Sequence, residues 1–251
     1  MNAVSSALQA PTAVESVNSE AQRTLIILGM HRSGTSALTG SLEAAGVYLG
    51  TTNHSTADNV KGNRESRRIM ILQNDLLLRN GGSWFEPVCN LKWEPIHLVT
   101  RDLIIESYKQ SSVWGFKDPR TLFTLDGWLD AIPHAELVGV FRHPFFVAES
   151  LLRRNDMSHE LGLNLWISYN QKLLEYLEIG NTFPLIEFSD DCAEFTGQLK
   201  SLSSQLKLTD PSKPFFDSTL RQQTLPNVQN SDTVEKAITL YEKLRTLRLE
   251  S

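Results

Sequence analysis

Apolar positions along the chain fall into two kinds of pattern, short unbroken runs and longer stretches of helical period. Leu25, Ile26, Ile27 and Leu28 form an unbroken run that stops at Gly29, short enough for a strand buried on both faces. Three more runs of that kind follow: Val113 to Lys117, Glu136 to Phe141 and Pro184 to Phe188. Between them the spacing is helical. A helix is predicted to open at Thr35 with Ala37, Leu38 and Leu42 on one side. Another covers Glu65 to about Arg79, with apolar residues at 69, 72, 76 and 77 and a stop at Asn80, Gly81 and Gly82. Further helices are predicted over His97 to Tyr108, over Leu122 to Ala131, from Pro144 to about Arg154 and from Leu161 to about Glu178. Pro144 suits a first helical turn, where its preset φ helps and its missing N–H is not needed. Ser189 and Asp190 are caps for a helix after the fourth strand, and Val234, Ile238, Tyr241, Leu244 and Leu247 mark an amphipathic helix from Ser231. Strands alternating with helices imply an α/β fold in three layers, a mostly parallel central sheet flanked by helices on both faces.

Two stretches escape these patterns. Residues 1–22 are rich in Ala, Ser, Val, Asn and Glu and are expected to be a disordered arm, leaving 23–251 as a single α/β domain. Ser83 to Pro95 carries Trp84, Phe85 and Trp93 around Pro87, a packed aromatic loop whose partner the sequence does not name.

Composition narrows the function classes. With a net charge of -5 the chain has no general attraction for nucleic acid or anionic membrane, so an anion site must be a local cluster of cations. Cys89 and Cys192 are too few for a disulfide framework and lack metal-ligand spacing. No apolar run approaches the roughly 18 residues of a membrane span, and the N-terminus lacks a secretory pattern, so a cytoplasmic protein is expected.

The candidate chemistry starts at the turn after the first strand, GMHRSGTS from Gly29 to Ser36. Glycines let successive N–H groups converge, and the positive end of the next helix points at the same place, so such a turn captures anions. Both glycines and the final hydroxyl match the nucleotide-binding consensus GxxxxGK[ST], but Thr35 stands where the lysine belongs and the cation comes earlier, at Arg32. That displacement argues for an anion shaped differently from a triphosphate. Strands of an open parallel sheet present their carboxyl ends to the ligand. The second strand ends at Lys117 and the third at Arg142.

On Arg32, Ser33, Gly34, Thr35 and Ser36 the chain resembles the sulfotransferases, whose loop of a basic residue and Ser-Gly-Thr-Ser/Thr holds the 5′-phosphosulfate of 3′-phosphoadenosine 5′-phosphosulfate (PAPS). The resemblance, of bacterial type, extends to Arg142 and Ser150, an arginine at a strand end and a serine eight residues later, which in that family grip the 3′-phosphate. It implies a P-loop-like fold and a cofactor site of His31, Arg32, Ser33, Gly34, Thr35, Ser36, Arg142, Ser150 and Arg221, the last from an Asp-x-x-Leu-Arg string at Phe216 to Arg221. It also implies that Lys117 lies near the transferred group. Asp118, Pro119 and Arg120 follow Lys117 where the cytosolic small-molecule branch has Thr-His, so the base must come from elsewhere. Glu65 fits the place of the catalytic glutamate in carbohydrate-modifying members, with His54 and Asp118 as further candidates. The expected catalytic set is therefore Glu65, Lys117 and Arg32, acting on a small-molecule or carbohydrate hydroxyl without a metal. Arg64, Arg67, Arg68, Lys61 and Arg120 are candidate recognisers of an acidic or sugar acceptor. The competing readings are a P-loop kinase or nucleoside triphosphatase with Asp118 on a metal, and a nonenzymatic adenosine-bisphosphate-binding protein. A Lys117 to Asp118 surface pair is the alternative for Lys117 itself.

Overall fold

The computed structural model describes residues 22–53, 62–180, 182–189, 191–210, 228 and 230–250. The arm up to residue 21, His54, Lys61, Asp190 and the Phe216 to Arg221 string lie outside the described residues. Gln22, the last residue of the expected arm, is tied down by its side-chain amide to the carbonyls of Tyr108 (2.7 Å) and Ser111 (2.8 Å).

The chain runs β1 (Arg23–Leu28), α1 (Thr35–Ala44), α2 (Arg67–Arg79), α3 (Pro95–Glu106), β2 (Val113–Lys117), α4 (Thr121–Leu129), β3 (Glu136–Phe141), α5 (Pro144–Asn155), α6 (His159–Glu178), β4 (Leu185–Glu187), α7 (Cys192–Gln205) and α8 (Asp232–Thr246). The strands lie in the order β2-β1-β3-β4, and every pairing is parallel. This is the three-layer α/β arrangement that the alternation of runs implies. Leu25 to Leu28 are fully buried. Each such side chain is worth about 1.5–3 kcal/mol on burial, and the strand's alternation hands them to opposite faces. Ile26 and Leu28 join Trp114, Phe116 and Phe141 against the helices α4, α5, α6 and α8. Leu25 and Ile27 join Val138, Val140 and Ile186 against Leu38 and Leu42 of α1 and Phe195, Leu199 and Leu202 of α7.

Where helix ends differ from expectation, capping decides. Glu94 caps α3 in a box with His97, so that helix opens at Pro95 rather than at His97. Asp191 caps α7, accepting from the backbone N–H groups of Ala193 (2.8 Å) and Glu194 (3.2 Å). Ser66 is the N-cap position of α2 and the helix begins at Arg67, so Glu65 stands outside the first turn. The aromatic loop finds two partners. Trp93 packs edge-on against Trp128 and covers Gly127 of α4, and Trp84 packs on His31.

Gly29 shows how tightly β1 is held at its end. Its φ is 159°, and an added Cβ would lie 2.5 Å from the carbonyl oxygen of Val140 in β3, a backbone atom that cannot step aside. Gly29→Ala is expected to cost about 1–3 kcal/mol, read as a lowered urea midpoint with an unchanged slope.

Candidate active site

In the strand order β2-β1-β3-β4, the chain leaves β1 for β2 on one side and then crosses to β3 on the other. The order reverses between β1 and β3, and open α/β sheets bind ligands beyond the carboxyl ends of their strands at such a place. The turn from Gly29 to Gly34 lies there. Arg32 is held in the left-handed region at φ 65°, a conformation that costs a non-glycine residue about 1–2 kcal/mol. Gly34, at φ 83°, occupies the N-cap position of α1, and a Cβ there would run into the Phe188 ring at 2.2 Å. Among the described residues no side chain caps α1, and its first turn holds no acidic residue, the arrangement of helix N–H groups that suits an anion.

The turn reaches α5 directly. Arg32 Nε donates to Ser150 Oγ at 2.7 Å, and Ser150 is buried. Arg142 stands at the end of β3 with its guanidinium over Phe146 (5.0 Å) and Phe188 (5.3 Å). Its carbonyl accepts from the Trp166 indole N–H at 3.0 Å. Phe188 is thus shared, touching Gly34 on one side and Arg142 on the other.

A polar cavity of about 280 Å³ opens beside the turn, lined by His31, Arg32, Thr35, Ser36, Glu65, Lys117 and Arg120, with Trp84, Met70 and Arg154 among its other walls. Among the described residues Arg142 is not one of those walls. A larger groove of about 580 Å³ between α6 and α8 is lined by residues such as Ile167, Leu174 and Leu240. None of its walls belongs to a strand end, so the smaller cavity is the candidate site.

Two buried ion pairs frame the cavity. Lys117 Nζ donates to Glu65 Oε1 at 2.7 Å, with Lys117 2% and Glu65 8% exposed. A surface pair between Lys117 and Asp118 is therefore ruled out: Lys117 is buried, and successive strand residues point to opposite faces. Asp118 instead accepts from Arg120, through the backbone N–H (2.9 Å) and through NH1 on both oxygens (2.9 and 3.1 Å). Burial pushes the Asp118 carboxyl up, against the pull of Arg120, and the Glu65 charge adds to the rise. For Arg120, burial works against the charge but the carboxylate of Asp118 outweighs it, so its pKa is raised. Glu65 is positioned by backbone ties rather than by a helix: Asn53 N–H donates to its carbonyl (3.3 Å), and Thr52 bridges to Ser66.

Of the residues expected at the site, His31, Arg32, Thr35, Ser36, Glu65 and Lys117 come together in the cavity, Ser33 and Gly34 lie in the turn behind it, and Ser150 is bound to Arg32. Arg142 is next door across Phe188. Arg67 and Arg68 are exposed, and Arg64 pairs with Glu43 at 3.1 Å. His54, Lys61 and Arg221 lie outside the described residues. Trp84, Arg154 and Phe188 went unselected by sequence. Arg154 alone carried a signal, one helical turn beyond Ser150.

His31 is the floor of the cavity. Its ring lies 5.0 Å from Trp84 and 5.9 Å from Tyr169. Burial, then the charges of Arg120, Lys117, Arg154 and Arg32, hold its pKa well below the usual 6.5. As pH falls through 6.5 the unfolded chain takes up a proton that the folded protein refuses, so stability drops, by up to about 1.4 kcal/mol per pH unit. His143, held low chiefly by burial, acts in the same direction. His31→Asn should therefore flatten the loss between about pH 6.5 and pH 5.5 by one proton's worth, measured as urea midpoints. A variant profile parallel to the wild type would show that His31 titrates normally.

No family model matches the sequence, and no curated protein matches it. Among solved structures the chain is similar to the sulfotransferase STF1 from Mycobacterium tuberculosis H37Rv, with 14% identity, a TM-score of 0.43, and coverage of 92% of this chain and 77% of that one. Likeness at that level assigns neither a family nor an activity.

Proposed function

We propose that the chain is a PAPS-dependent sulfotransferase acting on a hydroxyl of a small-molecule or carbohydrate acceptor. The observation that carries this reading is the 2.7 Å hydrogen bond from Arg32 to Ser150. It joins the two motifs that the resemblance assigns to opposite ends of one nucleotide. Phe188, lodged between Gly34 and Arg142, makes a second bridge between them.

The residues present fit a bisphosphorylated anion. Among the described residues no side chain caps the N-terminus of α1, and Ser33 Oγ and His31 Nε2 are buried polar atoms without a hydrogen-bond partner. Such atoms are costly unless a ligand satisfies them. The turn amides and Arg32 would hold the phosphosulfate end, and Arg142 with Ser150 the 3′-phosphate. When bound, PAPS supplies an activated sulfuryl group. Glu65 takes the proton of the acceptor hydroxyl as its oxygen bonds to sulfur and the bridging S–O bond breaks, leaving adenosine 3′,5′-bisphosphate. Lys117 holds Glu65 in place through one N–H, and its remaining N–H donors face charge growing on the leaving oxygen. Both oxygens of Asp118 are engaged by Arg120, which speaks against a metal-binding role for Asp118 and so against a kinase or nucleoside triphosphatase. Among the described residues no helix is long and apolar enough to cross a membrane.

Adenosine 3′,5′-bisphosphate without magnesium should raise the melting temperature, equivalent to about 2.7 kcal/mol at a hundredfold excess over Kd, whereas ATP with magnesium should not. Arg32→Ala and Arg142→Ala should each abolish labelled-sulfate transfer in a folded protein, and normal turnover by both would refute the site. Glu65→Gln keeps an oxygen for Lys117 and should lower turnover by about 10²–10⁴ with bisphosphate affinity little changed. An unchanged rate would remove Glu65 as the base.

A further inference from the structure

Several cations line the cavity. Arg32, Lys117, Arg120 and Arg154 line it together with one carboxylate, Glu65. Lys117 is matched by Glu65. Arg120 is matched by Asp118, but only through NH1 and its backbone N–H. Arg120 is 7% exposed, and its Nε–H, buried, has no hydrogen-bond partner among the described residues. A guanidinium cannot deprotonate to escape that state, and a buried donor left unmade costs about 1–3 kcal/mol, more when charged. His31, which also lines the cavity, has in Nε2 a second buried polar atom without a partner among the described residues. Arg154 lies one turn beyond Ser150 on α5, so the helix that presents Ser150 to Arg32 also carries an exposed guanidinium to the mouth of the cavity.

Resting on the nucleotide reading above, we propose that the acceptor is a small hydroxylated carboxylic acid. Its carboxylate lies against Arg120 Nε and Arg154 while its hydroxyl reaches Glu65. The carboxylate is a recognition group and takes no part in transfer. A neutral analogue of the same shape would leave the Arg120 donor poorly satisfied, and sites built around a buried polar group discriminate strongly against ligands that lack its partner. A volume of about 280 Å³ is at the low end for small-molecule sites, which fits an acid the size of a monosaccharide. Trp84 supplies a flat wall for its apolar face.

The test is calorimetric titration of the full chain, saturated with adenosine 3′,5′-bisphosphate, with matched pairs: D-glucuronate and D-glucose, D-galacturonate and D-galactose, glycerate and glycerol. In at least one pair the acid should bind about tenfold or more tightly than its neutral partner. Arg154→Gln, an exposed substitution, and Arg120→Lys, which keeps a charge beside Asp118 but removes the Nε donor, should each shrink that ratio toward one. Bisphosphate affinity should stay as it was. Equal binding within every pair, no acid bound below about 10 mM, or a ratio that survives both substitutions would each overturn the acceptor assignment and leave the nucleotide reading standing. Failure of the bisphosphate itself to bind would sink both.

Discussion

The structure depends on the absence of room at the carboxyl end of β1. That strand is the buried centre of a parallel sheet, with β2 on one side and β3 on the other, and its chain must turn at once into α1. Gly29 passes beneath the Val140 carbonyl and Gly34 beneath the Phe188 ring, each closer than a Cβ would allow. The close approach draws the turn against β3 and the residue after β4, and among the described residues no side chain caps the N-terminus of α1. The same packing bends Arg32 into the left-handed region within reach of Ser150. Strain of that kind persists only where the surroundings over-determine it.

Around this turn the protein buries charge in pairs. Glu65 with Lys117 and Asp118 with Arg120 are withdrawn from water beside one small cavity. Desolvating such pairs offsets much of their attraction, so they are weak evidence of stability. Beside the cavity they set a carboxylate fixed by an ammonium and a guanidinium anchored at one end, its buried Nε without a partner among the described residues. His31, kept neutral among four cations, adds hydrogen-bonding capacity without adding to the repulsion.

The opposite flank is secured from the C-terminus. Glu187 at the end of β4 is buried and accepts from Tyr241 of α8, from Arg245 Nε at 3.4 Å and from Arg248. Leu249 N–H donates to the Leu185 carbonyl at 2.7 Å, so the tail covers the outer edge of the sheet. The residue after Glu187 is Phe188, the ring shared by Gly34 and Arg142. Carboxylate, helix and tail, all distant from the turn in sequence, fix the ring against which the turn is laid.

Local pattern was enough to determine the four strands, the helices between them and the turn that meets α1. β2 and β3 could be read to the residue because each apolar run ends abruptly in a charge or a polar loop. Helix starts were less legible: Glu65 has the composition of a first turn yet lies before the cap, since a backbone tie to Asn53 holds it outside the helix. What the sequence left open were partnerships. Lys117 meets Glu65 across 52 residues and Arg32 meets Ser150 across 118. A charge carries no mark of which opposite charge it will meet; that choice belongs to the geometry that brings strand ends, turn and helix α5 to one rim. Trp84, Arg154 and Phe188 became site residues by the same route, because only the folded chain places an aromatic loop, a helix end and the last strand around a single cavity and the turn beside it.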